Sequence, residues 1–328
     1  MSLATSTSAG AGPGSGEIRN PLSWSQMAII TLAAAAIYAG LRMLPTGTSL
    51  SHMDFRATGE NVIEFCDPLN PQFISVVAAR SPVTMAVAPD PAAVGMVEAG
   101  REVQAVVTLK TGSGKAIAPE DLLITHTRAL HLLLIDPSLT DYQHVHPVPG
   151  ARTGEWQFSF TPRRAGMYRV FADFTPVATA RGLYASADLI VAGADAAPPT
   201  TGGAEALVTE REGFRFTLAT SPARLRAGEP FDLAFAITRP DGEPVRMQPV
   251  MGAYAHLVAF DGARNGFAHL HPMETSLEPA PDAYHPRLSF KLTIPEPGRY
   301  VIWAQVNLAD GEVFAPFWIE VSASGENL

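Results

Sequence analysis

Seven of the nine histidines in this chain fall into two copies of one pattern, and imidazole is the chemistry that the sequence offers. His131 opens the run His131-Leu132-Leu133-Leu134-Ile135-Asp136, and His144-Val145-His146-Pro147 follows it. At a constant offset of 125 residues, His256 opens His256-Leu257-Val258-Ala259-Phe260-Asp261, and His269-Leu270-His271-Pro272 follows. Tyr142 corresponds to Phe267, and five residues before each leading histidine stand His126 and Met251. A block repeated at this length without a gap signals an internal duplication. Only His52 and His285 stand outside it.

In a strand, residues two apart share a face. His144 and His146 therefore converge on one point, as do His269 and His271, and a neighbouring strand adds His131 or His256. The fourth position falls to His126 in one copy and to Met251 in the other. Three imidazoles with a thioether suit copper; four imidazoles, or three with water, also suit zinc. A metal site of this kind requires ring nitrogens within roughly 4 Å of one another in each copy. A site without thiolate also suits an oxidising compartment. The competing structural reading gives each histidine a buried backbone or side-chain group to satisfy, with His-x-His-Pro organising a turn. Spacing leaves both readings open.

No enzyme signature accompanies these histidines. There is no Gly-x-Ser-x-Gly, phosphate loop or His-Glu-x-x-His. A cupin reading fails on the glutamates, because Glu155 lies nine residues after His146 and Glu274 only three after His271. The chain reads as non-enzymatic. Its net charge of −9, with 17% charged residues, provides no basic surface for nucleic acid. One cysteine, Cys66, excludes an internal disulfide and cysteine-based zinc sites. Cys66 reads as a small buried hydrophobe.

The elements that must position the histidines are strands. A total of 27 glycines and 28 prolines, with alternating apolar residues, marks an all-β protein rich in turns. Val103, Ala105, Val107 and Leu109 alternate in the first copy, and Phe231, Leu233, Phe235 and Ile237 in the second. Gly166-Met167-Tyr168 and Gly298-Arg299-Tyr300 each open a late strand, as at the tyrosine corner of immunoglobulin-like sandwiches. About seven short strands are expected in each copy. The organisation is a flexible N-terminus (1–20), a transmembrane anchor (21–44), and a connector with a membrane-proximal hairpin over Asn61 to Ala79 (45–81). A first β-sandwich (82–192), a linker (193–206), a second β-sandwich (207–322) and a short tail (323–328) follow. The anchor rests on the uncharged run Met27 to Leu41, with Trp24 and Tyr38 as suitable interface residues and Arg42 at the far end.

The order of His, an apolar run with Asp, His-x-His-Pro, Gly-x-Tyr and a closing strand resembles the YtkA-like domain. The matching residues are His131, His144, His146, Pro147, Tyr168 and Phe171-Ala172-Asp173, then His256, His269, His271, Pro272, Tyr300 and Trp303-Ala304-Gln305. The resemblance implies small extracytoplasmic β-sandwiches in the neighbourhood of copper-handling and cytochrome oxidase assembly proteins. Two functions follow as expectations. One is an accessory subunit, single-pass in the inner membrane with its bulk in the periplasm. It would dock integral and extrinsic subunits of a respiratory or photosynthetic membrane complex through Trp24, Ala33, Ala36, Tyr38, Gly40, Phe65, Cys66 and Phe73. The other is a periplasmic copper-binding carrier or assembly factor using the duplicated histidines.

Overall fold

A computed structural model describes residues 23–43, 50–56, 71–79, 81–91, 96–193, 205–308 and 311–325. Phe65, Cys66, the first arm of the expected hairpin and most of the 193–206 linker lie outside the described residues. Two compact units make up the chain, one ending at Thr46 and the other starting at Gly47. In the first unit, helix α1 covers Trp24–Met43 and is long and apolar enough to cross a membrane. A helix of that kind serves as an anchor or as a signal sequence.

The second unit is all β. Its first half holds β1 (Val83–Pro89), β2 (Val103–Thr111), β3 (Leu122–Leu123), β4 (Leu130–Ile135), β5 (Tyr142–Val145), β6 (Val148–Pro149), β7 (Glu155–Phe160), β8 (Gly166–Pro176) and β9 (Leu183–Val191). The second half holds β10 (Val208–Arg211), β11 (Phe214–Ser221), β12 (Leu225–Arg226), β13 (Pro230–Thr238), β14 (His256–Asp261), β15 (Phe267–Leu270), β16 (Arg287–Thr293), β17 (Gly298–Leu308) and β18 (Gly311–Ser322). In the first half one sheet runs β1-β2-β7-β6; the other runs β8-β4-β5, with β9 and the short β3 sharing the far edge of β8. The second half repeats this as β10-β11-β13-β16 and β12-β18-β17-β14-β15. Seven strands have topological counterparts in both halves, as an immunoglobulin-like sandwich requires. Each half adds two short strands that the sequence did not announce.

Within each half the cores are conventional. Val107, Leu109, Leu132, Leu134, Val170 and Trp156 fill the first, and Phe235, Leu257, Phe290, Ile302 and Phe317 fill the second. Tyr300 makes the expected corner, its hydroxyl donating to the Glu296 carbonyl at 3.0 Å. Tyr168 departs from it, donating to Asp141 and accepting from the Arg164 amide.

A third core joins the two sandwiches. Leu133, Ile135, Tyr142 and Phe171 of the first half meet Val258, Phe260, Phe267, Val301 and Trp303 of the second. These residues occupy the outer faces of β4, β5 and β8 and of β14, β15 and β17, so those strands are buried on both sides. That explains why all six residues of β4 are buried and why Leu132 to Ile135 is a continuous apolar run. The contact is pseudo-symmetric, since Leu133 corresponds to Val258, Ile135 to Phe260 and Tyr142 to Phe267.

The described arm of the expected hairpin lies along the second sandwich. The Phe73 amide donates to the Thr293 carbonyl at 2.9 Å, and Ile74 exchanges two backbone hydrogen bonds with Phe267. Phe73 packs edge-on against Tyr300, and Val76 enters the shared core. Gly266 permits this approach, because any Cβ there would meet the Ile74 carbonyl carbon at 2.8 Å. Phe73 is thus a buried core residue of the second sandwich, and the expectation that it faces a docking partner is corrected accordingly.

Candidate metal centre

The histidines sit at one end of the shared core, on the faces that the two sandwiches turn towards each other. Strand alternation places His131 on the same face of β4 as Leu133 and Ile135, and His144 on the same face of β5 as Tyr142. His256 and His269 follow the same rule on β14 and β15. His146 and His271 stand just past the ends of β5 and β15.

Three ring nitrogens converge in each copy. One set comes from His131, His144 and His146, the other from His256, His269 and His271, and in each set the nitrogens lie within 4.8 Å of one another. The closest pair, His131 Nδ1 and His144 Nε2, is 3.2 Å apart. An ion bound at about 2.0–2.1 Å to each nitrogen asks for edges of roughly 3.3–3.6 Å. The His131–His144 pair is already at bonding spacing, whereas the 4.8 Å limit exceeds the roughly 4 Å expected from the sequence, so each set must close by about 1 Å to hold an ion.

Hydrogen bonding on the far side of each ring fixes which nitrogen is bare. His131 Nε2 donates to the Thr125 carbonyl at 3.0 Å, and His256 Nε2 donates to the Val250 carbonyl at 3.0 Å. Gln305 donates through Nε2 to Glu312, so its Oε1 accepts, and His144 Nδ1 must donate to it at 2.8 Å. His131 Nδ1 and His144 Nε2 therefore face each other as two lone pairs with no proton between them. Such a contact is repulsive until a cation enters it. In the second copy His269 Nδ1 donates to Asp173 at 3.0 Å. The inward nitrogens His256 Nδ1, His269 Nε2 and His271 Nε2, with His146 Nε2 in the first copy, have no hydrogen-bond partner.

Electrostatics agree with neutral imidazoles. Burial, with the other histidines adding to it, holds His144 and His269 well below the ordinary range. Burial lowers His146 to about 4 and His256 to about 3, and it pulls His271, His131 and His126 down as well. Burial pushes the Asp173 carboxyl up, against the pull of His131 and His126. Two sets of three neutral imidazoles can each hold a metal ion.

His126 and Met251 take a different place from the one expected of a fourth ligand. Each is the first central residue of a tight turn, Thr125–Arg128 and Val250–Ala253, closed by a reciprocal pair of backbone hydrogen bonds. Their φ values are 49° and 51°, and Thr127 and Gly252 follow at 69° and 80°, the signature of a type I′ turn. His126 stands outside the triad of its own copy. Its ring stacks on His271 of the other, with centroids 3.8 Å apart and planes at 19°. Sequence reasoning missed Asp173, Gln305 and the carbonyls of Thr125 and Val250 as the groups that orient the ligands. Asp173 and Gln305 were visible at equivalent positions of the closing strands, but their partners belong to the opposite sandwich.

The family model described as "Domain of unknown function (DUF8832)" matches residues 91–186 and 209–323. The chain belongs to the DUF8832 family. The two DUF8832 matches fall on the two sandwiches, one on each, and each spans one histidine triad. The family found is DUF8832, and the YtkA-like family that the motif resembles is not confirmed; the immunoglobulin-like β-sandwich part of that expectation stands on the strand order. No curated protein matches the chain. Among solved structures, the Escherichia coli adhesin FdeC is 18% identical, with 74% of this chain and 64% of that chain covered, at a TM-score of 0.23. A protein of Corynebacterium diphtheriae described as membrane anchored is 12% identical, with 74% and 57% covered, at a TM-score of 0.22. The DUF8832 chain spans less than two thirds of either structure, and TM-scores this low carry no argument about fold or function.

Proposed function

We propose that this protein is an anchored extracytoplasmic copper-binding module, a carrier or assembly factor that holds copper(I) in its two three-histidine sites. The observation that carries the reading is the pair of bare ring nitrogens of His131 and His144 at 3.2 Å, each with its opposite nitrogen committed as a donor. A purely structural histidine has no need of a second nitrogen left bare and buried. Charge favours copper(I) over zinc. All six ligands are neutral, and burying two dications beside each other costs far more than burying two monovalent ions. Imidazole suits either metal, so the charge decides. Helix α1 supplies the anchor, with the sandwiches on the periplasmic side.

An accessory role in a membrane complex is the second reading. It rests on α1, where Ala33, Ala36 and Gly40 permit close approach of another helix, with Trp24 and Tyr38 at exposed positions. The two readings combine if the complex is one that receives copper.

The test is to purify the full chain in mild detergent and titrate it anaerobically with copper(I) and, separately, with zinc(II). Two equivalents of copper(I) per chain are expected, one for each triad, surviving dialysis. A chain that retains no copper, or that keeps zinc in preference when both are offered, overturns the reading. A periplasmic reporter fused after Leu328 checks the orientation, and a signal from the cytoplasmic side refutes it.

A further inference from the structure

The two triads are closer to each other than separate sites need to be. Within the first, ring centroids are 4.8 to 5.3 Å apart, and within the second 4.8 to 5.4 Å. Across the junction His144 and His269 are 5.4 Å apart, and His131 and His269 are 6.0 Å apart. The spacing between triads thus matches the spacing inside them. Neither triad is complete within one sandwich, because His144 is oriented by Gln305 of the second half and His269 by Asp173 of the first.

The exchange is symmetric in position and unequal in charge. Behind His269 stands a carboxylate in direct contact, the arrangement that raises ligand basicity and metal affinity. Behind His144 stands a neutral amide, which itself donates to the Glu312 carboxylate. The Asp173 charge also reaches His131 of the first triad, where Arg128 opposes it, but its direct hydrogen bond is to His269. His126 also covers the second triad by stacking on His271.

We infer that the six imidazoles form one binuclear centre with unequal halves, in which His256, His269 and His271 hold the first, tightly bound ion and His131, His144 and His146 hold a second, exchangeable one. The inference rests on the reading of the triads as copper sites and adds an order of filling. The contact of Asp173 with His269 sets that order, and repulsion between the two bound ions widens the gap between the steps. A carrier built this way keeps one ion as a fixture and passes on the other.

The experiment is an anaerobic copper(I) titration of the full chain against a chromophoric chelator of known affinity. Two steps are expected, separated by about 10- to 100-fold, the range that outer-shell partners command. Asp173→Asn keeps a hydrogen-bond acceptor for His269 and removes only the charge, so it should weaken the tight step by about that factor and narrow the gap. Gln305→Glu should tighten the weak step, and it provides an independent arm if Asp173→Asn folds poorly. His271→Ala should leave a chain with one weak site, and His146→Ala a chain with one tight site. Two equal steps in the unaltered chain overturn the inference, as does a gap unmoved by both Asp173→Asn and Gln305→Glu, while leaving copper binding intact. Absence of any copper binding instead sinks the functional reading itself.

Discussion

Replacing Tyr142 with phenylalanine should make this protein more stable. Tyr142 lies in the shared core at 1% exposure, its ring packed against Phe260, Trp303 and Phe314 at 5.4, 5.9 and 5.7 Å. Its hydroxyl is buried without a hydrogen-bond partner. An unsatisfied buried hydroxyl costs about 1–3 kcal/mol, whereas the ring contacts survive the substitution unchanged. The protein already contains the control, because Phe267 occupies the equivalent place in the second copy. A gain of about 1–2 kcal/mol follows, which for a unit of this size raises Tm by about 2–4 °C for each kcal/mol. The assay is calorimetric or circular-dichroism melting of the metal-free protein with a chelator present. Burial, together with Asp173 and Glu312, pushes the Tyr142 hydroxyl well above its ordinary range, so the gain should be constant from pH 7 to 9. Phe267→Tyr should lose a comparable amount. A fall in Tm for Tyr142→Phe, or a loss of copper affinity, would show that the hydroxyl has a partner or a role and would refute the reasoning.

Acid should destabilise the metal-free protein. The folded values of about 4 for His146 and about 3 for His256 lie below the ordinary 6.5, so below pH 6.5 the unfolded chain takes up more protons. Each such group then removes up to about 1.4 kcal/mol per pH unit, and urea midpoints measured from pH 7 down to pH 4.5 should fall steadily; a flat profile would mean these rings are not buried as neutral groups. Gly266→Ala should lift residues 71–79 off the second sandwich and expose that segment to limited proteolysis, since its Cβ cannot coexist with the Ile74 carbonyl. Unchanged protection would place the segment elsewhere. A chain beginning at Gly47 should keep the same melting transition in the absence of detergent, because the sandwiches form a unit of their own. Loss of the transition would show that α1 is needed for folding.

The runs that begin at His131 and His256 show what could be read in the sequence and what could not. Alternation in β2 and β13 marked them as half-buried strands, and their outer faces are indeed the exposed ones. The run Leu132 to Ile135 does not alternate, and a continuous apolar stretch is the mark of a strand covered on both sides. That signal says the strand is covered on both sides but does not say by what, so the junction between sandwiches is not legible in it. Nor is the convergence of the two triads, because ligands brought together by packing of two domains leave no spacing in the chain. His126 illustrates the consequence: five residues from His131 in sequence, it belongs by contact to His271, 145 positions away. The seven shared strands were legible from turns and periodicity. The two-residue strands β3, β6 and β12 are too short to carry a period at all.

Some of the differences between the two copies fall where the copies meet. Tyr142 faces Phe267, Phe171 faces Trp303, Asp173 faces Gln305, and His126 faces Met251 as equivalent positions, and all but Met251 are placed by contact at the shared core or the histidine cluster. In a symmetric dimer of identical subunits none of these pairs could differ, since each residue would appear on both sides of the axis. Joining the copies in one chain removes that constraint, and a carboxylate can then stand behind one triad while an amide stands behind the other. The histidines themselves, three on each side, have not diverged. Selection on metal binding alone would be met by either sandwich paired with itself. The retained identity of the ligands beside divergence of the groups that orient them is what a centre with two unequal positions requires, and it is why the charge on Asp173, more than any one histidine, is the feature to alter first.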